Sequence, residues 1–398
     1  MRSFMLFSIA VILLMGMLSA ALCKKLRLPG LIGMILTGII AGPCVLDLID
    51  DSILNISAEL RKIALIIILT RAGLTLNMAD LKKVGRPAVL MCFVPALCEL
   101  AGMLLLAPRL LGVSLLEAAV MGAVVGAVSP AVIVPKMIKL MDEGWGTDKS
   151  IPQLVLAGAS VDDVFVIVLF AVFTGLAQGG DVSAVSFVNI PVSVILGIAA
   201  GFAVGGLLSL LFAKIHLRDT AKVLIILSIS LLLVTAEESL HTAITFSALV
   251  AVMFTGIALQ KYRSDAAERL SAKFSKLWVG AEIMLFVLVG AAVDISCISS
   301  AGLAAAVLIF GVIIFRMAGV FLCLIKTKLL MRERLFCMIA YMPKATVQAA
   351  IGGVPLAMGL SCGNIVMTVA VLSIIITAPL GAFLIDLTYR KLLNHDKT

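Results

Sequence analysis

The sequence predicts an all-α, polytopic membrane protein with about 13 transmembrane helices. The first observation is the composition: 62% of the 398 residues are apolar, 14% are charged and the mean hydropathy is +1.20, whereas a soluble domain carries about 25% charged residues. The second is the recurrence of apolar stretches of about 20 residues, the length that crosses a bilayer core. The third is the concentration of basic residues in the loops on one side of these stretches.

Short polar loops separate the apolar stretches, and no linker or charged block of domain size interrupts them. The first stretch resembles a signal peptide, but Lys24, Lys25 and Arg27 follow it, whereas a cleaved signal has its positive charge in front. We therefore interpret it as a membrane helix. Segments 1 to 13 span roughly residues 4–23, 29–46, 58–76, 87–107, 115–139, 150–177, 188–213, 221–236, 242–260, 276–293, 301–325, 335–358 and 363–388.

The distribution of Lys and Arg predicts the orientation of the chain, because cytoplasmic loops are enriched in these residues. Of the 31 Lys and Arg residues, 24 fall in loops on one side, four on the other side and three inside segments. One missed or additional helix would scramble this asymmetry, so it also supports the segmentation. The N-terminus is therefore predicted outside and the C-terminus in the cytoplasm. Topology explains the formal net charge of +8, and no nucleic-acid partner is expected.

Two segments contain helix-breaking residues near their centres. Segment 5 reads GAVVGAVSPAVIVPKM, with breaks expected at Pro130 and Pro135, and segment 12 reads YMPKATVQAAIGGVPL, with a break at Pro343 and a pair of glycines. The two lie seven segments apart, and an odd offset reverses the orientation in the membrane. Two inverted six-helix repeats with crossed, discontinuous helices produce this pattern, which marks the binding site of many transporters. The alternative is that proline merely kinks these helices.

Segment 6 carries two adjacent acids, Asp162 and Asp163, and ionisable groups at membrane depth are costly and usually functional. Asp163 lies about 16 Å along the helix from Pro152, close to the bilayer midplane. Adjacent helical residues point about 100° apart, so one carboxylate can face a water-filled cavity while the other faces a neighbouring helix. Ser160 lies one turn before Asp163 on the same face, where its hydroxyl can replace part of an ion's water shell.

Three further ionisable residues, Glu99, Arg316 and Lys344, are predicted at a similar depth. Because an unpaired charge there is costly, we expect Arg316 to pair with Glu99, Asp162 or both. For these three residues, a buried network that only holds helices together is the alternative. Asp163 differs, because the bases are too few to neutralise every acid. It therefore requires a mobile counter-charge, which predicts a secondary transporter that exchanges a small cation for protons.

Other chemistries lack a matching pattern of residues. The eight cysteines lie almost entirely in apolar stretches without the spacing of metal ligands or of a redox motif, and the three histidines do not cluster. We expect no resident metal and no cofactor. The sequence shows no nucleophile–base set and no phosphate-binding loop, so we expect no enzyme activity.

The motifs identified above together resemble those of the cation/proton antiporters. ASVDDV lies on segment 6, GAVSPAVIVP on the preceding broken segment and MPKATVQAAIGG on the late broken segment. RAGLTL, the acid of VPALCEL and the base of FRMAG also fit. The chain is most similar to the NHA-type sodium/proton antiporters, relatives of bacterial NhaA and NapA, over about residues 30–380. A paired-Asp motif alone is weakly specific, whereas all of these motifs in order are strongly specific.

The resemblance implies a role for each matched residue. Asp163 matches the Asp that binds the cation and carries the proton, and Asp162 matches its neighbour, which helps bind the ion or meets a helix cation. Ser129 and Lys344 match the crossings of the two broken helices. Arg316 stands where electrogenic relatives have Lys, and Arg effectively cannot release a proton. This departure puts a two-proton stoichiometry in doubt.

The resemblance also implies the NhaA/NapA-like fold, a homodimer in the lipid of the plasma (inner) membrane, and a role in pH homeostasis. Residues 87–177 and 301–388 are expected to form a moving core domain, and residues 4–76 and 221–293 a dimer domain. A linker helix over residues 188–213 is expected to join them.

The implied activity is exchange of Na⁺ (or Li⁺) for H⁺ by alternating access, with both ions competing for Asp163. If Arg316 holds Asp162, the exchange is one for one and electroneutral; if Asp162 also loses a proton in each cycle, it is electrogenic. Three alternatives remain: a K⁺/H⁺ antiporter, a sodium-coupled organic-anion symporter and a cation channel. Gln348 is a polar side chain of the kind that a symporter would carry near its crossings.

Overall fold

The computed structural model describes residues 4–26, 28–75, 85–178, 184–239, 246–293 and 295–395. In these ranges every extended regular element is a helix, as predicted, and an isolated antiparallel bridge joins Trp145 to His395. The chain forms two compact units. The first comprises residues 1–58, 79–173 and 286–398, and the second comprises residues 59–78 and 174–285.

The helices are numbered in chain order over the described residues. They are α1 Met5–Lys25, α2 Gly30–Ala41, α3 Asp51–Asn55, α4 Ser57–Thr75, α5 Arg86–Met91, α6 Val94–Leu111, α7 Leu115–Val125, α8 Pro130–Asp142, α9 Ile151–Ala177, α10 Ala184–Lys214, α11 Asp219–Ser239, α12 Ala248–Tyr262, α13 Ser264–Ala291, α14 Ile295–Cys323, α15 Met331–Ala340, α16 Thr346–Ile351, α17 Val354–Ala357 and α18 Gly363–Leu392.

Eight helical spans of the described chain are long and apolar enough to cross a membrane. Two of them are composite: residues 86–111 combine α5 with α6, and residues 115–142 combine α7 with α8. Shorter apolar helices accompany them, including α2, α12 and the stretch of α16 and α17. The protein is therefore a multi-pass membrane protein, and many of its large apolar side chains are exposed on the helices, as lipid-facing positions require.

The two broken segments are interrupted in the structure. Segment 5 becomes α7 and α8 with non-helical residues 126–129 between them, and segment 12 becomes α15, α16 and α17 with non-helical residues 341–345 after α15. Pro130 is the first residue of α8, where its missing N–H costs nothing, and Pro343 lies within the second interruption. The predicted break at Pro135 is wrong, because this residue lies inside α8. The loss of one backbone hydrogen bond there does not end the helix.

Helix α13 begins earlier than predicted. The stretch QKYRSDAAERLSAKFSK reads as a cytoplasmic loop, but α12 ends at Tyr262 and α13 begins at Ser264. Asp265 lies in the first turn, where a negative charge is favourable, and Ala266, Leu270 and Phe274 are buried at helical spacing. The charged residues are thus the solvent-facing side of an amphipathic helix, a pattern that a membrane-length window does not detect.

Helices α6 and α14 approach closely in the first unit. A Cβ atom at Gly319 of α14 would lie 2.8 Å from Cα of Pro95, and one at Gly102 of α6 would lie 2.7 Å from the Phe315 ring. Only glycine permits such contacts without displacing the neighbour. This packing brings the acid of α6 next to the base of α14.

Candidate ion-binding site

The guanidinium group of Arg316 is the centre of a buried charge cluster in the first unit. Its Nη1 donates to Oε2 of Glu99 at 2.7 Å and its Nη2 donates to Oδ2 of Asp162 at 2.7 Å. Nε donates to the backbone oxygen of Tyr341 at 2.8 Å, and Nη1 also donates to the backbone oxygen of Gly126. Arg316 therefore pairs with both acids, which the sequence alone left open. The side chain is 1% exposed, and its guanidinium carbon, Cζ, lies over the Tyr341 ring at 5.4 Å from the ring centroid.

Lys344 supplies the second positive charge of the cluster. Its Nζ donates to Oε2 of Glu99 at 2.6 Å, so a single carboxylate oxygen accepts from both Lys344 and Arg316. The backbone N–H of Lys344 donates to Oγ1 of Thr377 at 2.8 Å. Lys344 and Glu99 are fully buried, where removing either partner of a pair is strongly destabilising.

The first interruption is bound to its surroundings through its backbone. The N–H of Val128 donates to Oδ2 of Asp162 at 2.8 Å, and the N–H of Ser129 donates to the oxygen of Pro343 at 2.8 Å. The second contact joins the two interruptions directly. The side-chain amide of Gln348 donates to the oxygens of Val125 and Ala127 at 3.1 and 2.9 Å.

Asp163 differs from Glu99 and Asp162 because it lacks a positively charged partner among the described residues. It is 9% exposed, its Oδ1 is buried without a hydrogen-bond partner, and no described residue forms an ion pair with it. Other buried oxygens without a partner among the described residues are found on Asp162 of the same helix, on Ser129 in the first interruption, on Glu99 of α6 and on Gln348 of α16. A buried acceptor without a donor is unfavourable, and a cation or a proton would satisfy it.

The structure thus joins Glu99, Asp162, Arg316 and Lys344 by direct contacts, and places Ser129 and Pro343 in the two interruptions that contact each other. Asp163 follows Asp162 on α9. The side chain of Ser160 lies outside the described residues. Pro130 begins α8, and Pro135 lies within that helix rather than at a crossing.

Sequence reasoning missed several residues that support the site. Tyr341 contributes both a carbonyl oxygen and a ring to Arg316, and a Cβ atom at Gly158 would lie 2.1 Å from its hydroxyl oxygen. Thr377 binds the N–H of Lys344. Tyr341 is one of only three tyrosines in the chain and lies in an apolar segment, which is a usable signal. Thr377 has no such signal in the sequence, because a buried Thr in a membrane helix commonly donates its hydroxyl to the backbone of its own helix.

Two interrupted helices in contact, with buried charges at that contact, are typical of the class of secondary ion transporters. The family model described as "Sodium/hydrogen exchanger, transmembrane" matches residues 9–389. The chain belongs to this family of the cation/proton antiporter superfamily.

Curated relatives agree with this assignment, and a solved structure shares the fold. Sodium/hydrogen exchanger 9B2 of Xenopus tropicalis is 33% identical, over 99% of this chain and 76% of its own length. The human exchanger 9B2 is also 33% identical, over 92% of this chain and 70% of its own length. The structure of the sodium proton antiporter MjNhaP1 from Methanocaldococcus jannaschii superposes with a TM-score of 0.83 at 21% identity, covering 96% of this chain and 97% of that one. The last comparison establishes the fold.

Proposed function

We propose that this protein exchanges Na⁺ (or Li⁺) for H⁺ across the membrane by alternating access, with the carboxylate of Asp163 as the common binding group. The observation that carries the proposal is the unpaired state of this acid. Asp162 and Glu99 are held by Arg316 or Lys344, whereas Asp163 has no ion pair with a described residue and a buried oxygen without a donor. The names of the relatives support the same activity.

The charges of the cluster predict the stoichiometry. Glu99, Asp162 and Asp163 supply three negative charges when ionised, and Arg316 and Lys344 supply two positive charges. The site is neutral only when one further positive charge is bound, either a proton or Na⁺. Moving an uncompensated charge through the bilayer centre is penalised. Each transition therefore carries one cation, and the exchange is one for one and electroneutral.

The residues around Asp163 suit a small hard cation. Carboxylate, hydroxyl and backbone carbonyl oxygens can replace the water shell of such an ion. We propose that Asp163, Ser129 and the backbone oxygens of the first interruption supply these groups, and that Ser160, one turn before Asp163, adds a hydroxyl. Protons compete with Na⁺ for the same carboxylate, so raising the pH should lower the Na⁺ concentration that gives half-maximal exchange.

The proposed architecture comprises 13 membrane helices in two inverted repeats, with the N-terminus outside and the C-terminus in the cytoplasm of a plasma (inner) membrane. Interrupted segments 5 and 12, seven apart, support the inverted repeat. Residues 87–177 and 301–388 form the proposed moving core, residues 4–76 and 221–293 the dimer domain of a homodimer, and residues 188–213 the linker.

The test uses the full chain reconstituted in liposomes that contain a pH-sensitive dye. NaCl, LiCl, KCl or choline chloride is added outside, with and without an ionophore that collapses the voltage. Na⁺ or Li⁺ should drive proton movement that is insensitive to voltage, and Asp163→Asn should abolish it. Asp386→Asn is the matched control, because Asp386 is half exposed and pairs only with the partly exposed Lys136 among the described residues.

Four outcomes would contradict the proposal in different ways. Proton movement driven by K⁺ alone would indicate a K⁺/H⁺ antiporter. Absence of cation-driven proton movement in well-folded wild-type protein would exclude antiport and favour the symporter or the channel. Full activity of Asp163→Asn would remove Asp163 from the mechanism, and stimulation by the ionophore would indicate an electrogenic exchange.

A further inference from the structure

Gln348 occupies a position that neither the charge cluster nor the proposed exchange mechanism uses. It is the third residue of α16, after the second interruption, and it is 1% exposed. Its Nε2 donates to the oxygen of Val125 at 3.1 Å and to the oxygen of Ala127 at 2.9 Å. Val125 ends α7 and Ala127 lies within the first interruption, so this side chain links the late broken helix to the early one.

A primary amide can make both contacts without adding a charge. Two carbonyl oxygens require two N–H donors, and the amide nitrogen of Gln has two. This also assigns the orientation of the amide, since its oxygen cannot face two acceptors. The oxygen, Oε1, is buried and has no partner among the described residues. A carboxylate would repel both carbonyls, and a thioether would leave both without their donors.

The contacts of Gln348 alternate with a contact of Arg316. Gln348 binds the oxygens of Val125 and Ala127, and Arg316 binds the oxygen of Gly126 between them. Three successive backbone oxygens next to the crossing are thus held by two side chains. Each carbonyl oxygen has a second lone pair, which stays available for a cation. The spacing of such oxygens is a determinant of which cation is preferred.

We propose that Gln348 is a positioning residue that sets the cation preference of the transport site by fixing the backbone oxygens of Val125 and Ala127. This inference rests on the proposed function and deepens it. Asp163 supplies the charge that any monovalent cation neutralises, whereas the neutral oxygens held by Gln348 distinguish cations by size. Removing the amide should therefore change cation affinity and preference more than the maximal rate.

The experiment compares Gln348→Met with wild type in the liposome assay, measuring KM and maximal rate for Na⁺, Li⁺ and K⁺. Met keeps the length of the side chain and removes both donors. We expect KM for Na⁺ to rise about tenfold, as for the loss of one to two hydrogen bonds, and the Li⁺-to-Na⁺ preference to change about threefold or more. Gln153→Met is the matched control, because Gln153 lies ten residues before Asp163 on the same helix and should leave both quantities unchanged.

The outcomes separate this inference from the proposed function. A wild type without Na⁺-driven proton movement overturns both, whereas an active wild type with Gln348→Met identical to Gln153→Met in KM and preference overturns this inference alone. A lower melting temperature of Gln348→Met with unchanged KM and preference also overturns it, because that result assigns a purely structural role. If Gln348→Met does not fold, Gln348→Asn keeps the amide on a shorter chain and should shift KM and preference in the same direction by a smaller factor.

Discussion

The two interruptions contact each other within the first unit, yet they are stabilised by different kinds of contact. Residues 126–129 contain no ionisable side chain, and their backbone groups are bound by Arg316, Asp162, Gln348 and the backbone of Pro343. Residues 341–345 contain Lys344, and two of their backbone oxygens accept hydrogen bonds from other elements. The oxygen of Tyr341 accepts from Arg316, and the oxygen of Pro343 accepts from the N–H of Ser129. Among the described residues, the first interruption is bound through its backbone alone, whereas the second is bound through its backbone and through the ammonium group of Lys344.

Because of this difference, the two interruptions are not equally suited to bind a cation. A neutral, non-helical segment is suited to bind a cation, because its backbone oxygens can replace the water around the ion without adding a fixed charge. A segment with a buried Lys is not, since its ammonium repels a cation. Lys344 instead balances the charge of Glu99, and Asp163 remains without an ion pair among the described residues. Substitutions that remove the contacts of each interruption test the comparison.

The largest effect is expected for Lys344→Met, which removes the charge of the second interruption. Glu99 then keeps one of its two cations, and the free energy of unfolding should fall by about 3–5 kcal/mol, as for a broken buried ion pair. Denaturant titration in mixed micelles measures this change. Lys136→Met is the control, because its pair with the half-exposed Asp386 should contribute about 0–1 kcal/mol.

A double substitution sharpens this first prediction. Glu99→Gln combined with Lys344→Met removes one charge of each sign and should recover most of the lost stability, since the net charge of the cluster is then the same as in the wild type. If the double variant is as unstable as the sum of the single variants, Lys344 stabilises the fold through packing, and the proposed balance of charge at the second interruption is wrong.

An intermediate effect is expected for Arg316→Lys, which weakens the contact between the interruptions and the acids. Arg316 donates to four acceptors and an ammonium group has three hydrogens, so at least one acceptor loses its donor. The free energy of unfolding should fall by roughly 2–3 kcal/mol. Unlike Arg, Lys can release a proton, so exchange should become sensitive to voltage. Exchange that stays insensitive to the ionophore would show that this residue does not set the stoichiometry.

The smallest effect is expected for Thr377→Val, which acts on the backbone of the second interruption alone. Thr377 is fully buried and accepts the N–H of Lys344, and Val preserves its shape without the oxygen. Unfolding should become easier by roughly 1 kcal/mol, the cost of one buried unpaired donor. Thr368→Val on the same helix is the control, because among the described residues its hydroxyl donates only to the carbonyl of Asn364 in its own helix. Equal losses in the two variants would contradict a specific role of Thr377.

The buried charges were the most predictable part of the site. Glu99, Asp162, Arg316 and Lys344 stand out because an ionisable residue in an apolar stretch requires a partner, whatever the details of packing. The interruptions at Ser129–Pro130 and at Pro343 were predictable for a similar reason, since Pro and Gly limit helix formation locally. Pro135 shows the limit of this reasoning, because a helix can absorb one missing hydrogen bond when its packing continues.

Contacts that involve backbone atoms could not be predicted. Nothing in the residue types states that Arg316 binds the carbonyls of Gly126 and Tyr341, because every residue has such a carbonyl. The same applies to Gln348, whose two acceptors are backbone oxygens far away in the chain. The early start of α13 was missed because its first turns are charged, although one face is buried.

The amino-acid sequence by itself determined that this chain lies in a membrane, that two of its helices are interrupted and that the ionisable residues predicted near the bilayer midplane include one more acid than bases. These properties follow from composition and local chemistry, which hold in any arrangement of the helices. The tertiary structure decided which acid remains unpaired. Arg316 reaches Asp162 and Glu99 together because glycines bring α6 and α14 into contact, and neighbouring Asp163 points elsewhere on the same helix. Pairing depends on distances of a few ångström between distant parts of the chain, and only packing sets those distances.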